Sequence, residues 1–148
     1  MPVRCGRVAS WNVEGINLER PHKLYEIIKH MSALSVGVLC LQETHCLGSS
    51  TFECEGHIFI LSGAEHGSRQ YAGVGFIVAP WMRHAIKGYL QQDNRMASLR
   101  VRVSGGILTL ITVYAWTNEH NYDVRHDFFA DLLRFSQKCK SHGPTLLL

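Results

Sequence analysis

The chain has 148 residues, of which 46% are apolar and 18% charged, with a net charge of +3 at neutral pH. That is the length of about one domain or a piece of a larger one, and enough to bury roughly two thirds of the surface an unfolded chain exposes. Intrinsic disorder, a collagen-like repeat and a low-complexity chain are excluded.

Fifteen Lys and Arg against twelve Asp and Glu is a mild basic excess, which permits a phosphate-bearing partner without demanding one. The nine histidines add charge below about pH 6.5. Five cysteines (Cys5, Cys40, Cys46, Cys54, Cys139) stand at irregular spacing with no C-x-x-C pair. A disulfide scaffold is not expected, and a reducing compartment fits better. The tightest group, His45, Cys46, Cys54 and His57, is a candidate zinc site. Its spacings miss the usual structural pattern, so free thiols and surface imidazoles are the preferred reading. Residues 1–7 carry charge but no apolar run, so no signal peptide is expected. No apolar run approaches the roughly 18 to 20 residues of a bilayer span. The expectation is a soluble intracellular protein of nucleus or cytoplasm, without a membrane partner.

In chain order, Val8 to Asn12 is a short strand and Val13 to Glu19 a loop punctuated by Gly15. Pro21 suits the first turn of a helix, whose apolar stripe is Leu24, Ile27, Ile28 and Met31. Val36 to Leu41 is a continuous apolar run too short for a helix, hence a strand buried on both faces. Together these form a βαβ-like unit, right-handed if its strands are parallel. Short strands follow near His57 to Leu61 and Gly73 to Ala79, separated by a loop from Ser62 to Ala72 that carries Glu65, His66 and Arg69. A further strand is read from Ile86 to Gln91. Met96 to Val103 alternates, with Ala97, Leu99, Val101 and Val103 on one face and Met96, Ser98, Arg100 and Arg102 on the other. Gly105-Gly106 makes a hairpin turn, and Ile107 to Tyr114 returns as an apolar strand. A second helix runs from about Asn121 to Lys140, with Val124, Phe128, Leu132 and Phe135 as its buried stripe, widened by Phe129 and Leu133. His142-Gly143-Pro144 stops it, and Thr145 to Leu148 reads as the opening of another buried strand. The expectation is a single domain, residues 1–148, cut short at its C-terminal side. Losing the remainder would leave the inner face of the first sheet open.

Asn12, Gln42-Glu43 and Tyr114 all stand at the C-terminal ends of predicted strands, where open α/β sheets bind ligands. A carboxylate after six apolar residues must reach solvent or find a cation. Glu43 is therefore the foremost metal-ligand candidate, and magnesium suits one or two carboxylates completed by water and phosphate oxygens. From spacing alone Glu43 also reads as a loop or cap residue, Asn12 as a turn residue, and Tyr114 as a packed aromatic with a wet hydroxyl.

Ser10-Trp11-Asn12-Val13-Glu14-Gly15, Leu41-Gln42-Glu43-Thr44-His45, Gly73-Val74-Gly75-Phe76-Ile77-Val78 and Val113-Tyr114-Ala115 occur in that order. This ordered set resembles the endonuclease/exonuclease/phosphatase family, which includes apurinic, deoxyribonuclease-like and retrotransposon endonucleases. The Gln-Glu-Thr-His form is most similar to the retrotransposon-type branch. The resemblance implies the N-terminal part of a two-sheet α/β sandwich of the DNase-like fold, with a mixed sheet and flanking helices. It implies that Glu43 is the metal-binding glutamate and that Asn12 orients that metal site and the phosphate. Tyr114 would contact the scissile phosphate. Catalysis would thus fall to Asn12, Glu43 and Tyr114, and metal binding to Glu43 and Asn12. His45 is read as a neighbour, and Glu14 stands where some relatives carry an aspartate near the metal. Asn94-Arg95-Met96 resembles a motif of retrotransposon-type members in which Arg95 would assist phosphate binding, a loop-edge arginine being the alternative.

Relatives read Tyr-Ala-Pro-Asn where this chain has Tyr114-Ala115-Trp116-Thr117. Asn118 is then a shifted form of that asparagine, and Trp116 either a stacking surface for a base or a loop aromatic. The family's Gly-Asp-Phe-Asn and Ser-Asp-His motifs are missing. The implied activity is Mg²⁺- or Mn²⁺-dependent phosphodiester hydrolysis on DNA, with the isolated chain inactive and poorly soluble. The missing C-terminal half is a further implied partner. Two alternatives stay open: a lipid or sugar phosphatase or phosphodiesterase of the same fold, and a non-catalytic remnant that binds nucleic acid or protein.

Overall fold

The computed structural model describes residues 4, 6–63, 72–117, 120–140 and 143–148. The chain opens with β1 (Arg7–Asn12), α1 (His22–Ala33) and β2 (Val36–Gln42). β1 and β2 are adjacent and parallel, as the strand–helix–strand pattern predicts. Leu24, Ile27, Ile28 and Met31 form the buried face of α1, and all seven residues of β2 are buried. Pro21 stands just before the helix, with φ −78°.

Next come β3 (Ser49–Cys54), β4 (His57–Ser62) and β5 (Val74–Val78), which complete a five-stranded sheet in the order β1-β2-β5-β4-β3. β3 was not anticipated, because Ser-Ser-Thr-Phe-Glu-Cys has little apolar character. It is an edge strand, and Phe52 stacks on Phe59 of β4 at 4.9 Å. Glu55 and Gly56 take φ of 48° and 76° in the connecting turn, a left-handed pair suited to a tight hairpin. A short 3-10 helix, Pro80–Ala85, leads into β6 (Ile86–Gln91), β7 (Met96–Val103) and β8 (Gly106–Val113). After α2 (Tyr122–Lys138), β9 (Thr145–Leu147) adds in parallel to β8, giving a second sheet in the order β6-β7-β8-β9.

The two sheets face each other. Val38, Cys40, Val74, Phe76 and Val78 of the first meet Ala97, Leu99, Val101 and Leu110 of the second, all fully buried. The first sheet's inner face is therefore covered, contrary to the expectation that it lies open, because β6 to β8 already supply its facing layer. α1 packs on the outer face of the first sheet, through Ile27, Met31, Leu39 and Ile77. α2 packs on the outer face of the second, through Met96, Ile111, Phe128, Leu132 and Phe135. The result is the four-layer form of the expected two-sheet α/β sandwich.

Two expectations about the second half need correction. The buried stripe of α2 is only Phe128, Leu132 and Phe135, whereas Phe129 and Leu133 are 57% and 60% exposed and Val124 is also exposed. α2 is an outermost layer with one neighbouring sheet, so a narrow stripe suffices. β9 is exposed at all three positions, not buried, because it is an edge strand paired on one side only. Met96 and Ser98, on the face of β7 shared with Arg100 and Arg102, are buried because α2 covers that end of the strand. His142, and the loop segment with Glu65, His66 and Arg69, lie outside the described residues.

A buried polar bridge crosses the sandwich. Ser10 Oγ donates to Gln42 Oε1 at 3.1 Å, and Gln42 Nε2 donates to Thr112 Oγ1 at 3.0 Å. Thr112 Oγ1 in turn donates to the Leu41 carbonyl at 3.0 Å. Gln42 and Thr112 are buried, so every partner matters. Thr112→Val keeps the shape but strands the Gln42 amide. It is expected to cost about 1–3 kcal/mol, read as a lower urea midpoint at unchanged m-value.

Candidate functional site

The C-terminal ends of β1, β2 and β8 meet at one end of the sandwich. Asn12 is the last residue of β1, Glu43 follows β2 and Tyr114 follows β8. Asn12 Nδ2 donates to Glu43 Oε1 at 2.8 Å, and Asn12 Oδ1 accepts from the Glu14 amide at 3.2 Å. Having a carboxylate on one end and an N–H on the other fixes which way the Asn12 amide points. The Glu43 carboxylate stands close enough to the Tyr114 phenol to raise its pKa. His45 Nε2 lies 3.7 Å from Glu43 Oε2. The structure thus brings Asn12, Glu43 and Tyr114 together, with His45 as a neighbour of the carboxylate.

The backbone under this group is held against its preference. Glu14, Glu43 and His45 have φ of 50°, 53° and 54°, a region costing about 1–3 kcal/mol for a non-glycine residue. Cross-loop hydrogen bonds hold it: Gly15 N to Glu43 O at 2.6 Å, Ile16 N to Thr44 O at 2.8 Å, Thr44 N to Gly73 O at 3.0 Å and His45 N to Ala72 O at 3.0 Å. Lys23 of α1 donates to the Val13 carbonyl and, at 3.4 Å, to that of Glu14. Two glycines are required here. A Cβ at Gly73 (φ +107°) would meet Thr44 Oγ1 at 2.3 Å, and one at Gly15 (φ +91°) would meet His45 Nδ1 at 2.9 Å. Glu43 can point outward because its neighbours are locked by these close approaches.

Arg95 joins from the β6–β7 turn. Asp93 Oδ1 accepts from the backbone N–H of Arg95 at 2.7 Å and of Met96 at 3.0 Å. The Arg95 guanidinium donates to the carbonyls of Tyr114 at 3.2 Å and Ala115 at 3.5 Å. It lies 3.3 Å over the Trp116 ring and 4.9 Å from the Tyr114 ring, a cation–π pairing. The guanidinium therefore already occupies one face of Trp116. His120 packs 4.4 Å from the same ring. A groove of about 730 Å³ opens beside them, with Asp127 and Asp131 of α2 on its far wall. Asn118 lies outside the described residues.

The electrostatics follow from this packing. Burial raises the Tyr114 phenol above its usual value of 10.0, and the hydrogen bond to Glu43 and its charge raise it further, against the pull of Arg95. Burial lowers Arg95, with Tyr114 and Asp93 opposing. The zinc reading finds no geometry. Among the described residues no group of three or more His, Cys, Asp or Glu could hold a metal. Burial also raises the Cys46 thiol, the Thr44 contact opposing. Sequence reasoning missed Asp93, Lys23 and Thr112. An Asp two residues before Arg95 is a recognisable Asx turn, and a Thr inside an apolar strand marks a buried hydrogen bond. Nothing in the sequence pointed to Lys23.

Residues 9–148 match the model of the endonuclease/exonuclease/phosphatase family. The chain belongs to this family. A probable RNA-directed DNA polymerase from the transposon X-element of Drosophila melanogaster is 22% identical over 128 residues, 82% of this chain and 14% of that protein. A Neisseria 3′ phosphatase, NExo, solved with a product DNA hairpin, superposes with a TM-score of 0.67 at 20% identity, covering 95% of this chain and 55% of that one. The endonuclease domain of TRAS1, a telomere-specific non-LTR retrotransposon, gives 0.62 at 16% identity, covering 99% and 58%. At these identities the structural likeness is one of fold, and the chain spans just over half of each solved relative.

Glu43→Gln is expected to lower the Tyr114 phenol toward its ordinary range, since it removes a negative neighbour. Arg95→Met should raise it further. Ultraviolet pH titration, by difference from Tyr114→Phe, reads both shifts; an unmoved phenol in both variants would disprove the shared field.

Proposed function

We propose that this chain carries the metal- and phosphate-binding half of the active site of a Mg²⁺-dependent endonuclease that hydrolyses phosphodiesters in DNA, Mn²⁺ serving in its place. The observation that carries this reading is the gathering of Asn12, Glu43 and Tyr114 at one end of the sandwich, where Asn12 clamps the carboxylate and the carboxylate acts on the Tyr114 phenol. The Glu43 carboxylate is a hard oxygen ligand, which fits a cation that keeps most of its water and takes phosphate oxygens.

Glu43 would hold the ion. Asn12 acts as a positioning residue, since its amide nitrogen clamps the carboxylate and its oxygen is engaged by Glu14. Bound Mg²⁺ would neutralise charge building on the phosphoryl and leaving oxygens. Tyr114 keeps its proton, because its pKa is raised, and so can donate to a phosphate oxygen. Arg95 supplies a fixed positive charge beside it, locked by two carbonyls and the Trp116 ring. The water-activating aspartate and the histidine of the family reaction belong to motifs that do not occur in this sequence. In this reading the chain is the N-terminal part of a longer domain.

Duplex DNA binding by the chain is expected to strengthen on adding Mg²⁺, and Glu43→Gln, which keeps the Asn12 contact, should abolish the increment. Fluorescence anisotropy checks this, and an equal increment in both proteins sinks the reading. Plasmid nicking by the chain should fall roughly 10²- to 10⁴-fold below a complete family member, the contribution of a general base.

A further inference from the structure

We propose that the end of the second sheet remote from the candidate site is a docking surface for the phosphate backbone of duplex DNA, independent of base sequence. The outer face of β7 carries Met96, Ser98, Arg100 and Arg102 in alternation. Met96 lies under α2, and Cys139 Sγ donates to Ser98 Oγ at 3.3 Å. α2 ends at Lys138, so Arg100 and Arg102 emerge past the end of the helix into solvent. Lys138 and Lys140 stand at that end, and Lys87 joins from β6. All five cations are exposed.

Two depressions meet there, of about 240 Å³ and about 810 Å³, and both are lined by Arg100 and Lys140. Lys138 lines the smaller, and Lys87 and Arg102 the larger; no Asp or Glu lines either. The ion pairs of Arg83 with Glu53 and of Arg134 with Asp131 involve none of these five cations. The ten other Lys and Arg of the chain face twelve Asp and Glu, so the basic excess is local to this surface. Cations at a helix C-terminus complement its dipole, which accounts for Lys138 and Lys140 but not for three cations on strands. Arg100 is also pre-positioned. A Cβ at Gly88 would lie 2.8 Å from its guanidinium, so the bare strand lets that plane lie flat against it.

Arg100 and Arg102, two residues apart on one strand, repeat at about 7 Å, close to the separation of successive phosphates along one DNA strand. The larger depression is otherwise lined by Gly105, Gly106, Gly143 and half-buried Ile107. It lacks the exposed bulky apolar side chains with which a peripheral surface enters lipid. The surface is separate from the cleft, since Arg102 lies seven residues beyond Arg95 along β7, roughly 20 Å. The choice of DNA among polyanions rests on the proposed function; the charge geometry does not.

The test is anisotropy of a labelled DNA duplex in EDTA across a KCl series. Each phosphate contact contributes about 0.9 to the slope of log affinity against log salt. Arg100→Gln with Arg102→Gln should therefore flatten the slope by about 1.8, and Lys87→Gln alone by about 0.9. The double variant should melt like the parent chain; if it fails to fold, Lys87→Gln and Lys140→Gln decide the matter. An unchanged slope overturns the proposal. So does a loss confined to phosphatidylserine vesicles, or one larger on duplex RNA than on DNA. The Mg²⁺ increment that reports Glu43 is expected to survive in the double variant, so failure of this surface and failure of the cleft reading give different results.

Discussion

The Gln42 amide is the contact on which both the fold and the site depend. It lies between the sheets, accepting from Ser10 of β1 and donating to Thr112 of β8. Burying an amide costs free energy unless its hydrogen bonds are made, so the two sheets can pack only in the arrangement that supplies these partners. The next residue is Glu43. The bridge that sets the sheets against each other therefore also sets where the carboxylate leaves the core, within reach of Asn12 from one sheet and Tyr114 from the other.

Around that point the chain trades backbone comfort for side-chain placement. Three non-glycine residues adopt left-handed conformations within the same cluster of loops. Glu43 and His45 are held by backbone hydrogen bonds to loops from other parts of the chain, and Glu14 by the Asn12 side chain and Lys23. The carboxylate is left only 21% exposed, with the Asn12 amide donating to it and the Tyr114 phenol beside it. Arg95 is separately braced by the Asp93 turn and the Trp116 ring. A negative group and a positive group are thus fixed on either side of one phenol, an arrangement in which little reorganisation remains when a charged ligand arrives.

Trp116 illustrates how context reassigns a residue. An aromatic in a loop beside the candidate site invites a base-stacking role. In the folded chain one of its faces is covered by a guanidinium, so its first task is to hold Arg95. The outward face of β7 divides in the same way: its first two residues become core because a helix lies over them, and its last two become a charged surface because that helix has ended.

Local pattern was enough for much of the fold. The stripe of α1, the fully buried β2, and the Met96–Val103 and Ile107–Val113 hairpin all follow from periodicity, because burial on one or two faces writes itself into residue spacing. The ordered motifs around Asn12, Glu43 and Tyr114 marked the family, and strand ends marked the mouth of a candidate site. Polar β3 at a sheet edge, the exposed β9, the narrow stripe of α2 and the roles of Thr112, Asp93 and Lys23 were decided only on folding. Their reason is common: each depends on what lies across from a residue in space. Sequence spacing records which side of an element is buried, whereas only the tertiary packing determines which distant groups meet there.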